Sequence, residues 1–160
     1  MTLKKFLSIS FLVWSGFACS QTVSATYKIQ DLLNRISPQD TLYVVNFWAS
    51  WCKPCIQELP ALDSLNSKNQ NSATKILLVC LDFSEELNTK VIPFLKKKNI
   101  LSECVLLDEV NGNDYINKIS PAWSGAIPAT YFQYGKKSIL VEKKMHLNEM
   151  ERHLIELKRD

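Results

Sequence analysis

Leu42-Tyr43-Val44-Val45-Asn46-Phe47-Trp48-Ala49-Ser50-Trp51-Cys52-Lys53-Pro54-Cys55-Ile56-Gln57-Glu58-Leu59-Pro60 is the stretch that decides how the rest of the chain is read. An almost unbroken apolar run ends in two tryptophans, and a Cys-x-x-Cys follows at once. Next come Ile56, Leu59, Leu62 and Leu65, spaced as one face of a helix. The pattern predicts a buried strand that delivers two thiols to the first turn of a helix. Residues three apart on a helix share a face, so Cys52 and Cys55 are placed to close a disulfide. Cys52 falls at the helix N-terminus, where orphan N–H groups and the helix dipole favour a thiolate. Pro54 lacks an N–H, which costs little in a first helical turn.

This stretch resembles the active site of the thioredoxin superfamily. Within it, the chain is most similar to the TlpA/ResA-like thiol:disulfide oxidoreductases of the bacterial cell envelope. The residues that carry the likeness run from Asn46 to Cys55, then Glu58 and Pro60, and roughly seventy residues later Ile127-Pro128-Ala129-Thr130. The resemblance implies an α/β thioredoxin-like fold over residues 27–160, with a central mixed β-sheet flanked by helices and an inserted helix–strand unit. It also implies a protein-disulfide reductase that works through its dithiol without organic cofactor or metal. Its partners would be disulfide-containing protein substrates and a membrane electron-donor protein.

The remaining elements follow from periodicity. Residues 21–26 read as a polar leader. Ile29, Leu32, Leu33 and Ile36 give a helix, and Lys75–Leu81 is apolar enough for a strand covered on both faces. Ser84–Lys98 reads as a helix with Pro93 inside it, and Cys104–Leu107 as a short strand; together they form the inserted unit. Asn113–Ile119 is a brief helix. Ala129–Gln133 and Ser138–Val141 are strands joined at Gly135. Leu147, Met150, Leu154 and Leu157 stripe a closing helix. Leu42–Trp48 and Lys75–Leu81 are expected to be parallel neighbours, with Ala129–Gln133 antiparallel to the first. Pro60 is expected to kink the helix it interrupts.

Residues 1–20 read as a signal peptide. Lys4 and Lys5 precede an apolar segment, Phe6–Trp14, too short to span a bilayer, and Ala18-Cys19-Ser20 supplies small residues for cleavage before Gln21. Lipidation of Cys19 is the alternative, and it alone would tie the chain to a membrane. Both routes lead to the periplasm or cell envelope. The net charge is +3 and becomes +1 without the leader, since only Lys4 and Lys5 are lost; nothing in that balance points to nucleic acid. Removing Cys19 leaves Cys52, Cys55, Cys80 and Cys104 of the five cysteines. Outside the cytoplasm a dithiol must be held reduced by a donor or act as an oxidant.

Cys52 is the expected nucleophile and Cys55 the resolving thiol. Glu58 lies three residues beyond Cys55, and a partly buried carboxylate there would have a raised pKa and move a proton to or from Cys55. In thioredoxin that work falls to an Asp on the central strand, whereas this chain has Asn46, as the TlpA/ResA-like proteins do. Ile127-Pro128 matches the superfamily's cis-proline loop, which implies a cis bond and a backbone that pairs with an extended substrate. Trp48 and Trp51 are expected to wall the site, with Trp51, Ile127 and Pro128 touching substrate. Trp123 is either a substrate platform or core. A zinc site needs two more ligands, but Cys80 and Cys104 stand alone and His146 and His153 are seven apart. A second disulfide between Cys80 and Cys104 is left open. Two other functions are set against the reductase. One is a peroxiredoxin-type thiol peroxidase, which would need Pro-x-x-x-Thr-x-x-Cys before Cys52. The other is a non-catalytic binding module, whose mark would be a lost cysteine.

Overall fold

The computed structural model describes residues 23–159. The leader reading, including Cys19 and the cleavage before Gln21, lies outside the described residues. Six strands form one sheet in the order β1-β4-β3-β2-β5-β6. These are β1 (Val23–Tyr27), β2 (Leu42–Trp48), β3 (Thr74–Cys80), β4 (Glu103–Leu107), β5 (Ala129–Tyr134) and β6 (Lys137–Val141). β1, β4, β3 and β2 are mutually parallel; β5 runs antiparallel to β2, and β6 to β5. The expected pairing of the central strand is therefore observed on both sides.

All seven residues of β2 are buried, which accounts for a run that is apolar except at Asn46. Leu42, Val44 and Trp48 face the side covered by α2 (Lys53–Asn69), α3 (Ile92–Lys98) and α5 (Leu147–Lys158). Tyr43, Val45 and Phe47 face α1 (Ile29–Arg35) and α4 (Ile116–Ile119). Alternation along the strand thus feeds two cores at once.

One boundary is corrected. Residues 23–26, read as polar leader, belong to β1, whose residues are only half-buried or exposed. β1 joins the sheet through its backbone, pairing with β4 from Val23↔Cys104 to Tyr27↔Leu107, while Ser24 Oγ donates to the Cys104 carbonyl at 3.1 Å. An edge strand held this way carries little hydrophobic signal. The inserted unit is present, and its strand β4 sits between β1 and β3.

The single helix expected over Ser84–Lys98 is three pieces: a 3-10 turn at Ser84–Glu86, a π-helical turn at Leu87–Val91, and α3. Pro93 is the physical reason. It offers no N–H to the carbonyl four residues back, and its ring crowds that carbonyl, so the preceding turn widens. Pro60, by contrast, is carried within an uninterrupted α2. The β5–β6 hairpin closes through Gly135-Lys136 with Gly135 at φ 58°, the positive value that suits glycine at the first turn position.

Candidate active site

The site forms where β2 ends and α2 begins. Cys52 is the N-cap of α2, in extended conformation, and its sulfur accepts from the Cys55 N–H at 3.3 Å. The same N–H is positioned to stabilise a Cys52 thiolate in the reduced chain. Pro54 occupies the first turn as expected. Cys52 and Cys55 are disulfide-bonded, with Cα atoms 5.3 Å apart. Cys55 is fully buried, while Cys52 keeps 6% exposure and is the more open of the two.

Behind the pair lies a buried polar network. The Glu58 side chain, 1% exposed, accepts from the Met145 backbone N–H at 2.8 Å and from Asn46 Nδ2 at 3.2 Å. Asn46 Nδ2 also donates to Thr130 Oγ1 at 2.9 Å. Burial pushes the Glu58 carboxyl up to about 7, against the lowering effect of those two donors and of Lys144. Strand β2 and the segment before α5 thus meet the α2 carboxylate, and β5 braces it through Asn46. Asn46 holds it by hydrogen bonding and cannot itself titrate.

The Ile127–Pro128 bond is cis, as the resemblance implied. The loop lies against the disulfide, with the Ile127 carbonyl oxygen 3.8 Å from Cys52 Sγ. Pro128 is buried and Ile127 half-buried. Trp51 stands out at 67% exposure. Trp48 is fully buried in the same core cluster as Cys52 and Cys55, its ring centroid 5.7 Å from that of Phe94, because strand alternation turns it toward α3. Trp123 resolves as core. It is 3% exposed, its ring centroid lies 4.5 Å from that of Phe47, and its Nε1 donates to the Ala126 carbonyl at 3.0 Å, which fixes the entry to the Pro128 loop.

Cys80 and Cys104 are free and buried. Burial, the largest cause for each, raises both thiols, Cys104 to about 12 and Cys80 further. Both are neutral at ordinary pH and poor nucleophiles, which among the described residues leaves thiol exchange to Cys52 and Cys55.

Sequence reasoning missed Asp82. Its carboxylate is 3% exposed and accepts from Ser50 N at 2.8 Å, from Ser50 Oγ at 2.5 Å and from the Cys80 thiol at 3.0 Å. Asp82 thereby ties the loop that carries Trp51 and Cys52 to the end of β3. An acid just past a strand has no periodic signature, and Ser50, its partner in the loop, is 32 positions away. Replacing Asp82 with Ala leaves the Ser50 N–H unpaired, and the expected loss is about 1–3 kcal/mol in denaturant unfolding. A variant as stable as the parent would show that Ser50 finds another acceptor.

Comparisons with known proteins agree with this geometry. A profile of the AhpC/TSA family matches residues 17–139. The chain is 30% identical over 118 residues to the thioredoxin-like protein YneN of Bacillus subtilis, covering 73% of this chain and 62% of that one. It is 35% identical over 65 residues to the sporulation thiol-disulfide oxidoreductase A of the same organism, covering 41% of this chain and 39% of that one. The chain thus spans less than two thirds of the length of these relatives. Among solved structures, a thioredoxin-related protein from Neisseria meningitidis serogroup B superposes with a TM-score of 0.64 at 19% identity, over 76% of this chain and 87% of that one. The fold is thioredoxin-like.

Proposed function

Because the chain belongs to the AhpC/TSA family, a thioredoxin-like family, we propose that it is an exported thiol:disulfide oxidoreductase that reduces disulfides in envelope or secreted proteins. The observation that carries this reading is the disulfide-bonded pair at the start of α2, whose outer sulfur lies against the Ile127 carbonyl.

In the reduced chain, the Cys52 thiolate attacks one sulfur of a substrate disulfide. A Cys52–substrate disulfide forms, and the other substrate sulfur leaves as a thiolate that takes up a proton. Cys55 gives its proton to Glu58, and its thiolate attacks Cys52 Sγ. That breaks the mixed disulfide, closes Cys52–Cys55 and releases the second substrate thiol. Two electrons pass from the enzyme dithiol to the substrate. A carboxyl near 7 suits this task, since it can hold or release a proton close to neutral pH. Trp51, Ile127 and Pro128 contact the substrate chain, which lies extended along the Ile127 backbone. A membrane electron donor returns two electrons to the Cys52–Cys55 disulfide.

Export rests on the order of charge, apolar segment and small residues in 1–20, with cleavage before Gln21 or lipidation of Cys19. Strand β1, at Val23–Tyr27, extends the sheet ahead of the segment 27–160 that carries the resemblance. The peroxidase alternative is disfavoured, because Val45 and Ala49 stand where its motif would place Pro and Thr ahead of Cys52. The assay is reduction of insulin disulfides by dithiothreitol, with and without the protein. Catalysed precipitation of the released B chain is expected. A rate no faster than dithiothreitol alone would overturn the reading.

A further inference from the structure

Trp48, Cys80 and Leu106 are register partners on the adjacent parallel strands β2, β3 and β4. Just beyond those strand ends come Trp51, Phe83 and Val110, three, three and four residues further on. All three are exposed, at 67%, 64% and 89%. Large apolar groups left in water at one level of one sheet edge mark a contact surface. Phe83 and Val110 line a single cavity of about 360 Å³, floored by Leu107 and Tyr115. Asp82 lines it too and holds Ser50, so the groove is joined to the loop that carries Trp51 and Cys52.

The chemistry of the rim identifies the occupant. Segments 82–86 and 108–110 carry five acidic and no basic side chains, in a chain whose net charge is +3. Asp82 is spent on Ser50 and Cys80; Glu86 pairs with Lys90, and Asp108 with Lys28 at 3.0 Å. Among the described residues neither Glu85 nor Glu109, both of which line the groove, forms an ion pair, although Glu109 accepts from the Ile29 N–H and feels the charge of Lys28, which is paired to Asp108. An apolar slot with an anionic rim selects an apolar side chain with cationic neighbours. The Ile127 loop flanks Cys52 on the β5 side, and the groove lies on the β3–β4 side. A chain cross-linked to Cys52 and paired with Ile127 therefore continues over Trp51 toward Phe83. Two strand spacings, about 10 Å, are covered by about three extended residues.

We propose that the Phe83–Val110 groove receives an apolar side chain flanked by Lys or Arg, about three to five positions from the reacting cysteine of a disulfide-bonded polypeptide. This rests on the oxidoreductase reading and assigns it a substrate class.

The test uses peptides whose single cysteine is disulfide-linked to glutathione. In one pair, a Lys-Phe-Lys patch sits four residues before or four residues after the cysteine; in the reference peptide Glu-Ser-Glu replaces it. One member of the pair should be reduced with a kcat/KM about tenfold above the reference, and the preference should shrink as salt rises. It should collapse to within about twofold in a Phe83→Ser, Val110→Ser double variant. Versions with Cys replaced by Ser should shift the amide resonances of Phe83 and Val110. Equal reduction of all peptides, with those resonances unmoved, overturns the groove. Shifted resonances with no reduction of any peptide would sustain the groove and defeat the reductase reading instead.

Discussion

Cys52→Ala is expected to bring insulin reduction down to the rate of dithiothreitol alone, while Cys55→Ala accumulates a covalent Cys52–substrate disulfide. The two outcomes differ because the sulfurs sit differently. Cys52 is the more open of the pair and lies beside the Ile127 carbonyl, whereas Cys55 is sealed beneath it. Without Cys52 the sulfur beside the Ile127 carbonyl is gone, and the buried neutral thiols of Cys80 and Cys104 cannot substitute. Without Cys55 the first attack proceeds and the second does not. Well-oriented intramolecular reactions reach effective molarities of about 10⁵ M or more, so millimolar external thiol should resolve the adduct at least about a thousandfold more slowly. Mass spectrometry of the intact protein reads the adduct directly. Full turnover by Cys52→Ala, or a Cys55→Ala variant that never holds substrate, would overturn the assignment of roles.

Glu58→Gln is expected to change how stability depends on pH. In the folded, oxidised chain the Glu58 carboxyl is raised from 4.5 to about 7. Below about 4.5 it is neutral in both folded and unfolded chains. Between 4.5 and 7 the unfolded chain ionises first, so the folded chain binds more protons and stability falls as pH rises. Above 7 both are ionised and the penalty is constant, at up to about 3 kcal/mol for a difference of this size. The parent should therefore lose stability between pH 4 and pH 8 by about 3 kcal/mol more than Glu58→Gln does. Denaturant unfolding of the oxidised proteins at several pH values reads the difference. In the proposed mechanism Glu58 takes the proton of Cys55, so the pH profile of disulfide exchange should also move in the Gln variant. Parallel stability curves would mean that Glu58 ionises in the folded chain as easily as in the unfolded one.

Local sequence carried a large part of this protein. A seven-residue run that is apolar but for Asn46, a Cys-x-x-Cys and a helical stripe are short-range patterns, and they place β2, the N-cap cysteine and α2 without tertiary information. The spacing of Glu58 from Cys55 is equally local, because helix periodicity sets which face a residue shares. The resemblance added the proline loop, which no periodic pattern would have joined to Cys52.

Tertiary structure decided the rest, wherever a residue's role depends on a distant partner. β1 has too little buried side-chain area to announce itself and exists because β4 supplies backbone partners. Trp48 and Trp51 are close in sequence, yet one is core and the other exposed, because only the first lies on a strand face covered by α3. The carboxyl of Glu58 is raised because residues from β2 and from the segment before α5 close over it, and Met145 contributes only an N–H, which no side-chain pattern encodes. Asp82 matters through Ser50 for the same reason. Periodicity tells a residue which way to point; what it meets there is set by elements packed from elsewhere in the chain.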